Sequence, residues 1–255
     1  MLLLLKIVLV PVLIGGVTLA ARRWGPRIGG LLTGLPVVAG PTLCFYAVEQ
    51  GDAFAASAAQ ATLLGLVSVA AFCVAYMRMS LRVSWPLSVL VGWLAFGVAT
   101  LLLYRTEWRL TAALGVAMAS CLMARYFVPS PRHVRTAVAI PAYDLPLRML
   151  AAASLVLVLT SLANRLGPAL SGLLTPFPVA TAIIAGFTHA QRGPEAVAWF
   201  FRGLLPGLIG FGLFCFVLAA GLPSLGLALS VGLAIATQSV FQGWLLWRVA
   251  SSLGG

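Results

Sequence analysis

The residues best suited to bind a solute in this chain are threonines, glycines and prolines inside two long apolar runs. The first run contains Thr33, Gly34, Pro36, Gly40, Pro41 and Thr42, and the second contains Thr175, Pro176, Pro178 and Thr181. Proline removes a backbone donor and clashes with the preceding turn, so each run is predicted to break a helix. In lipid, irregular backbone persists only inside protein or along a cavity, and paired breaks form solute sites in transporters. The alternative is that the prolines only kink the helices and the glycines allow close packing.

The two runs are copies of one another. Gly25–Val38 aligns with Gly167–Ala180 without a gap, so one constant sequence offset (167 − 25 = 142) relates every pair of positions, including Pro36 and Pro178. A break that is duplicated at matched positions favours a functional element over an isolated kink.

Long polar side chains within the apolar runs form a second group. Arg202 lies about eight residues, or roughly 12 Å, into its run, and the repeat pairs it with Gln60. The planar fork of an intramembrane arginine suits a carboxylate or phosphate, so Arg202 is predicted to meet an anionic part of a solute. The alternative is that Arg202 snorkels to the interface. Gln238 and Gln242 share one helix face and either line a polar path or hydrogen-bond neighbouring helices.

Residue patterns for covalent, hydrolytic or metal chemistry are missing from the sequence. No Asp or Glu lies in the middle of an apolar run, and the chain has two histidines. Metalloprotease, nucleophile-elbow and phosphate-loop motifs do not occur. The four cysteines lie in apolar runs without metal-ligand spacing. We therefore predict that the protein is not an enzyme and binds neither a metal nor a cofactor.

Membrane helices must position these residues. The 255 residues are 62% hydrophobic and 8% charged, whereas a soluble domain has about a quarter of its residues charged. Apolar runs of about 20 residues recur, each long enough to cross a bilayer. The sequence therefore predicts an all-α polytopic membrane protein. Its net charge of +11 comes from arginines scattered at helix ends, which disfavours nucleic-acid binding. The preference for arginine over lysine is typical of high-GC bacteria, so we predict the bacterial inner membrane.

Nine spans in two repeats are predicted. The first repeat covers 1–128, a cytoplasmic loop covers 129–147, and the second repeat covers 148–255. The spans are about Met1–Ala21, Ile28–Val48, Phe54–Tyr76, Trp85–Tyr104, Leu110–Phe127, Met149–Ala163, Pro168–Thr188, Val197–Ala220 and Leu225–Val249. Most arginines then share one side, which predicts an external N-terminus and a cytoplasmic C-terminus. Because five spans precede the second repeat, the repeats are predicted to have inverted topology. They would be parallel if the short fifth span did not cross.

Two short motifs in the second half carry a resemblance to a known family. Residues 171–178 have the sequence Ser-Gly-Leu-Leu-Thr-Pro-Phe-Pro, and residues 192–196 have Arg-Gly-Pro-Glu-Ala. From about Leu162 to Trp247 the chain resembles the GlpM-like family of small bacterial inner-membrane proteins. Members look like single units of about four helices, so the resemblance implies a duplicated and fused version. The first half departs from the pattern, with Gln50-Gly51-Asp52 in place of Arg192-Gly193-Pro194. The family has no agreed substrate, so the resemblance implies a fold unit and a location.

Two functions follow as alternatives. In the first, a secondary-transporter-like protein moves a small, anionic solute by alternating access around the two breaks. Arg202 would bind the anionic part of the solute, while Gln60, Thr33 and Thr175 would supply neutral hydrogen bonds. In the second, a non-transporting scaffold or accessory protein serves envelope or lipid metabolism. The predicted partners are membrane lipids and a small solute, without nucleic acid, and the sequence leaves a homodimer open.

Overall fold

The computed structural model describes residues 2–104, 106, 108–130, 143–166 and 177–251. Within these residues the chain forms nine helices and no strand, which confirms the predicted all-α class. The helices are α1 (Leu2–Trp24), α2 (Pro26–Thr33), α3 (Ala39–Gln50), α4 (Asp52–Ser80), α5 (Trp85–Leu103), α6 (Leu110–Phe127), α7 (Asp144–Leu166), α8 (Val179–Arg192) and α9 (Pro194–Ser251).

Four helices in the described part of the chain are long and apolar enough to cross a membrane. They are α4, α5, α6 and, within α9, the stretch Pro194–Val249. α5 leaves large apolar side chains such as Leu94 and Leu101 exposed, an arrangement that suits contact with lipid chains. These helices indicate a membrane-embedded protein. α6 coincides with the fifth predicted span, which is therefore a helix of crossing length.

α9 is a helical hairpin. Its 58 residues would extend about 87 Å as a straight rod, nearly three times the hydrocarbon thickness of a bilayer. Gly226 interrupts it with φ of 71° and ψ of 176°, a conformation that glycine adopts without a Cβ clash. The arms 194–225 and 227–251 then fold back on each other, so that Ser230 packs against Gly221. The turn separates the last two predicted spans.

α2 and α3 form the broken helix that the first apolar run predicts. Pro36 has no N–H, so the carbonyl of Leu32 lacks its normal helical donor. That carbonyl instead accepts a hydrogen bond from the Leu35 amide at 3.2 Å. Gly40 and Pro41 lie in the first turn of α3, where amides have no acceptor within the helix itself and a proline is tolerated. The break is therefore the short stretch between the two helices, and Gly40 and Pro41 follow it.

Helix ends recur at the offset of the sequence repeat. The ends of α1 and α7 are related by it (166 − 24), as are the ends of α3 and α8 (192 − 50) and the starts of α4 and α9 (194 − 52). Gly51 and Gly193, which follow α3 and α8, have φ of 90° and 81°. The turn at Gly226 matches Ser84, which precedes α5, at the same offset (226 − 84).

Two helix pairs, α1 with α7 and α4 with the first arm of α9, pack in opposite directions. The end of α1 meets the start of α7, where Arg22 contacts Asp144. Phe72, in the second half of α4, contacts Phe201 near the start of α9. Gly212, further along α9, faces Leu63 in the first half of α4, so α4 and the first arm of α9 are antiparallel.

Glycines bring α2 into direct contact with α9. Gly30 on α2 meets the α9 backbone at Phe200 and Leu204, and Gly34, just after α2, meets it at Gly207. The four-residue spacing of these glycines lets helix backbones approach closely. A Cβ at Gly34 would lie 2.6 Å from the carbonyl carbon of Gly207, and one at Gly30 would collide with backbone atoms of α9. α2 is thereby fixed against the first arm of α9, with no space for a side chain between them.

Candidate functional site

The threonines beside the first break donate to their own helices. The Thr33 hydroxyl donates to the carbonyl of Gly29, and the Thr42 hydroxyl donates to the carbonyl of Val38, both at 2.8 Å. Each hydroxyl keeps acceptor capacity for a ligand but has used its single proton. Of the residues predicted in the second run, Pro178 and Thr181 are buried at the start of α8, whereas Thr175 and Pro176 lie outside the described residues.

The two glutamines of α9 are buried polar groups close to the break. The Gln242 amide nitrogen donates to the carbonyl of Leu31 at 2.8 Å. Gln238 is only 4% exposed, and neither its amide oxygen nor its amide nitrogen has a hydrogen-bond partner within the described structure. The amide oxygen of Gln242 also lacks one. Each unpaired buried polar group costs about 1–3 kcal/mol, so such groups in a native protein often contact a ligand, ion or water.

Contacts along α9 place Gln238 level with the break. Gly207 touches Gly34 before the break, and Phe214 touches Gly40 after it. Gln238, in the second arm of α9, packs its amide against Gly210 in the first arm, between these two contact points. Among the predicted polar-path residues, Gln238 and Gln242 are therefore placed beside the broken helix.

Replacing Gln242 with leucine is expected to destabilise the broken helix. The Leu31 carbonyl would lose the Gln242 donor and keep the Gly34 amide at 3.2 Å. The unfolding temperature in detergent should fall, corresponding to about 0.5–1.5 kcal/mol, the net contribution of one hydrogen bond. Gln50→Leu, at the exposed end of α3, serves as the control and should leave the unfolding temperature nearly unchanged. Equal unfolding temperatures for the two variants would contradict a role of Gln242 at the break.

Arg202 and Gln60 bind the two ends of α6. The Arg202 guanidinium donates to the carbonyl of Val128, just after α6, at 3.0 Å. The Gln60 amide donates to the carbonyl of Trp108, just before α6, at 2.5 Å. The guanidinium of Arg125, in the last turn of α6, donates a hydrogen bond to the backbone carbonyl of Arg202 at 2.6 Å. Arg202 and Gln60 therefore lie at opposite ends of one helix, and these contacts do not connect them to the break. Their predicted contact with a solute stays a prediction.

A buried ion cluster joins α1, α7 and α8. Asp144, 1% exposed, accepts hydrogen bonds from Arg148 at 2.9 and 3.0 Å and from Arg22 at 2.6 Å. The amide nitrogen of Gln191 donates a hydrogen bond to the Asp144 carboxylate. Its amide oxygen accepts one from the Arg148 guanidinium at 3.0 Å. The Arg148 guanidinium also lies 4.9 Å from the ring centre of Phe187, within cation–π range.

This cluster is absent from the sequence predictions because the start of α7 was predicted to be a loop. α7 begins at Asp144, not at Met149, since a carboxylate is favourable in the first helical turn and this one also gains Arg22 as a partner. The spacing of Asp144 and Arg148 at i and i+4 is the signal that could have indicated it. Burial raises the pKa of Asp144, but hydrogen bonds from Gln191, Arg148 and Arg22 outweigh it and hold that pKa below its ordinary value.

A small cavity lies beside the cluster. Its volume is about 20 Å³, and its wall contains three arginines, two threonines and a glutamine. These polar residues are Thr18, Arg22, Arg148, Thr188, Gln191 and Arg192. A second cavity of about 370 Å³ between α5, α7 and α8 is lined almost entirely by apolar side chains, including Trp85, Trp93 and Phe187, and suits a hydrocarbon chain. Neither of these two cavities is lined by residues of the first break.

The fold and these contacts define a membrane-embedded helical protein with a broken helix and buried polar groups. No protein-family model, curated protein or solved structure matches the chain. The resemblance of the second half to the GlpM-like family therefore stays a prediction.

Proposed function

We propose that the chain is an inner-membrane protein of nine spans in two inverted repeats, five and four. The coincident helix ends and the antiparallel packing of α1 with α7 support this layout. Arg27, Arg125 and Arg202 are close enough to repel one another electrostatically, so they lie at the same end of the bundle. The sequence places the loops at that end in the cytoplasm because they are rich in arginine, so the N-terminus would be external and the C-terminus cytoplasmic.

Within that layout, the function best supported is a secondary-transporter-like movement of a small polar solute by alternating access. The observation that carries it is the Gln238 amide, which is buried, unpaired and level with the break. A primary amide offers two donors and an acceptor, so it can bind a carboxylate oxygen or a polar neutral group. Alternating access around broken helices at a repeat interface is the mechanism of other inverted-repeat transporters.

Access to the break from both sides of the membrane tests this proposal. In a chain whose four cysteines are replaced by serine, Val37→Cys in the break is treated with a charged thiol reagent in sealed right-side-out and inside-out vesicles. Alternating access is expected to expose this thiol in both preparations. Leu94→Cys on the outward face of α5, 69% exposed in the structure and facing lipid in this layout, is the control and should react in neither. Reaction of Val37→Cys from one side alone, or from neither, would contradict alternating access.

A non-transporting scaffold is the second candidate. The glycine contact between α2 and the first arm of α9 favours it, because backbone packing of this kind leaves no path between the two helices. The same labelling experiment separates the two functions, since a scaffold has no reason to open the break to both sides.

A further inference from the structure

The small cavity beside the ion cluster has the composition of an anion site. Arg22, Arg148 and Arg192 all line it, and no acidic residue does. Asp144 binds Arg148 and Arg22 but is not among the lining residues. Glu195, three residues after Arg192, is exposed and does not line the cavity either. Three guanidinium groups against one carboxylate leave an excess of two positive charges at the cavity wall.

Thr18 adds a buried donor that points to a ligand. Helical threonines elsewhere in this protein, such as Thr33, Thr42 and Thr62, donate to the carbonyl four residues earlier. The Thr18 hydroxyl has no partner in the described structure, although the residue is only 3% exposed and lines the cavity. A buried hydroxyl without a partner needs a polar group beside it. The cavity, about 20 Å³ in volume, admits one oxygen-sized group.

The surrounding side chains fit a tetrahedral oxyanion. The Arg148 guanidinium is held in place by Asp144, Gln191 and the ring of Phe187, so it is a preorganised donor. Arg22, 30% exposed at its side chain, and the partly exposed Arg192 flank the mouth. Guanidinium forks match phosphate oxygens in geometry. A free phosphate carries about −1.5 to −2 charges near neutral pH, which balances the excess at the wall better than a singly charged carboxylate or phosphodiester does.

We propose that this cavity between α1, α7 and α8 binds a phosphate group, with one oxygen beside Thr18 and the others between Arg22, Arg148 and Arg192. The phosphate belongs either to a free solute or to the headgroup of an anionic phospholipid. The site goes beyond the proposed transport function, because it is separate from the break and binding can be measured without any transport.

Two variants test the site without breaking the ion cluster. Thr18→Val removes the hydroxyl and keeps the shape, and Arg192→Gln removes a charge at the mouth. The control is Arg82→Gln, which removes an exposed arginine that does not line the cavity. Binding of inorganic phosphate is measured by calorimetry on protein in phosphatidylcholine nanodiscs, with chloride at equal ionic strength as the reference. A parallel measurement compares unfolding temperatures in nanodiscs with and without phosphatidylglycerol.

If the ligand is a free phosphate, phosphate binding should saturate in the wild type and weaken about tenfold in Arg192→Gln and severalfold in Thr18→Val. If the ligand is a lipid headgroup, phosphatidylglycerol should raise the unfolding temperature of the wild type, and both variants should lose that rise. Arg82→Gln should behave like the wild type in either case. The proposal is overturned if neither ligand acts on the wild type, or if both variants respond as Arg82→Gln does. Failure of the break-labelling experiment would leave these outcomes unchanged.

Discussion

The Gly34→Ala variant is expected to lose about 3 kcal/mol of stability or to fail to fold, the upper end of what overpacking a well-packed core costs. The added Cβ would lie 2.6 Å from the carbonyl carbon and 2.7 Å from the Cα of Gly207. Both atoms are backbone, so no side-chain rotation relieves the collision. α2 would have to move away from α9, and the Leu31 carbonyl would separate from Gln242.

Thermal unfolding in detergent measures this effect, and Gly97→Ala is the matched control. A Cβ at Gly97 in α5 meets no atom within 4 Å, and alanine is the better helix former by about 1 kcal/mol. Gly97→Ala should therefore unfold at the same temperature as the wild type or slightly higher. A Gly34→Ala protein as stable as Gly97→Ala would mean that α2 and α9 are not in backbone contact.

Local pattern and repetition made much of the architecture predictable. Pro36 predicted a break in its helix because a missing N–H acts on the residues next to it, and the structure places the break there. The constant offset of the repeat relates positions in one half to positions in the other, so helix ends such as those at Gly51 and Gly193 follow it. The fold class and the helix at Leu110–Phe127 were equally predictable from the sequence. Composition decides the fold class, and the length of the apolar run decides the helix.

The candidate site was less predictable because its contacts join distant parts of the chain. Arg22 and Asp144 are 122 residues apart in sequence, and Gln191 is 47 residues from Asp144. Hydropathy showed that Arg202 and Gln60 were unusual, but it cannot show which neighbour a side chain meets. Both bind carbonyls at the ends of α6, a contact that depends on how the helices pack.

The Asp144→Asn variant is expected to lose about 3–5 kcal/mol of stability, the cost of removing one partner from a buried ion pair. Asparagine keeps the shape but not the charge, so Arg148, only 4% exposed, would remain as a buried cation without its carboxylate. Glu49→Gln at the exposed end of α3 removes one negative charge elsewhere and should change stability by less than about 0.5 kcal/mol. Chemical or thermal unfolding in detergent gives both values, and equal stability of the two variants would contradict the ion cluster.

Acid titration separates the charge of Asp144 from its shape. Because the folded protein holds the pKa of Asp144 below its ordinary value of 3.8, the unfolded chain binds the proton more readily at low pH. This contribution to stability is therefore complete above about pH 4 and is lost as the pH falls through the lower, folded pKa.

A double variant, Asp144→Leu with Arg148→Met, removes both charges and should be far more stable than Asp144→Asn, since apolar replacement of a buried pair is often neutral. Its unfolding free energy should also decline less than that of the wild type below pH 4. A double variant as unstable as Asp144→Asn would show that shape, rather than the pairing of Asp144 with Arg148, governs this end of the bundle.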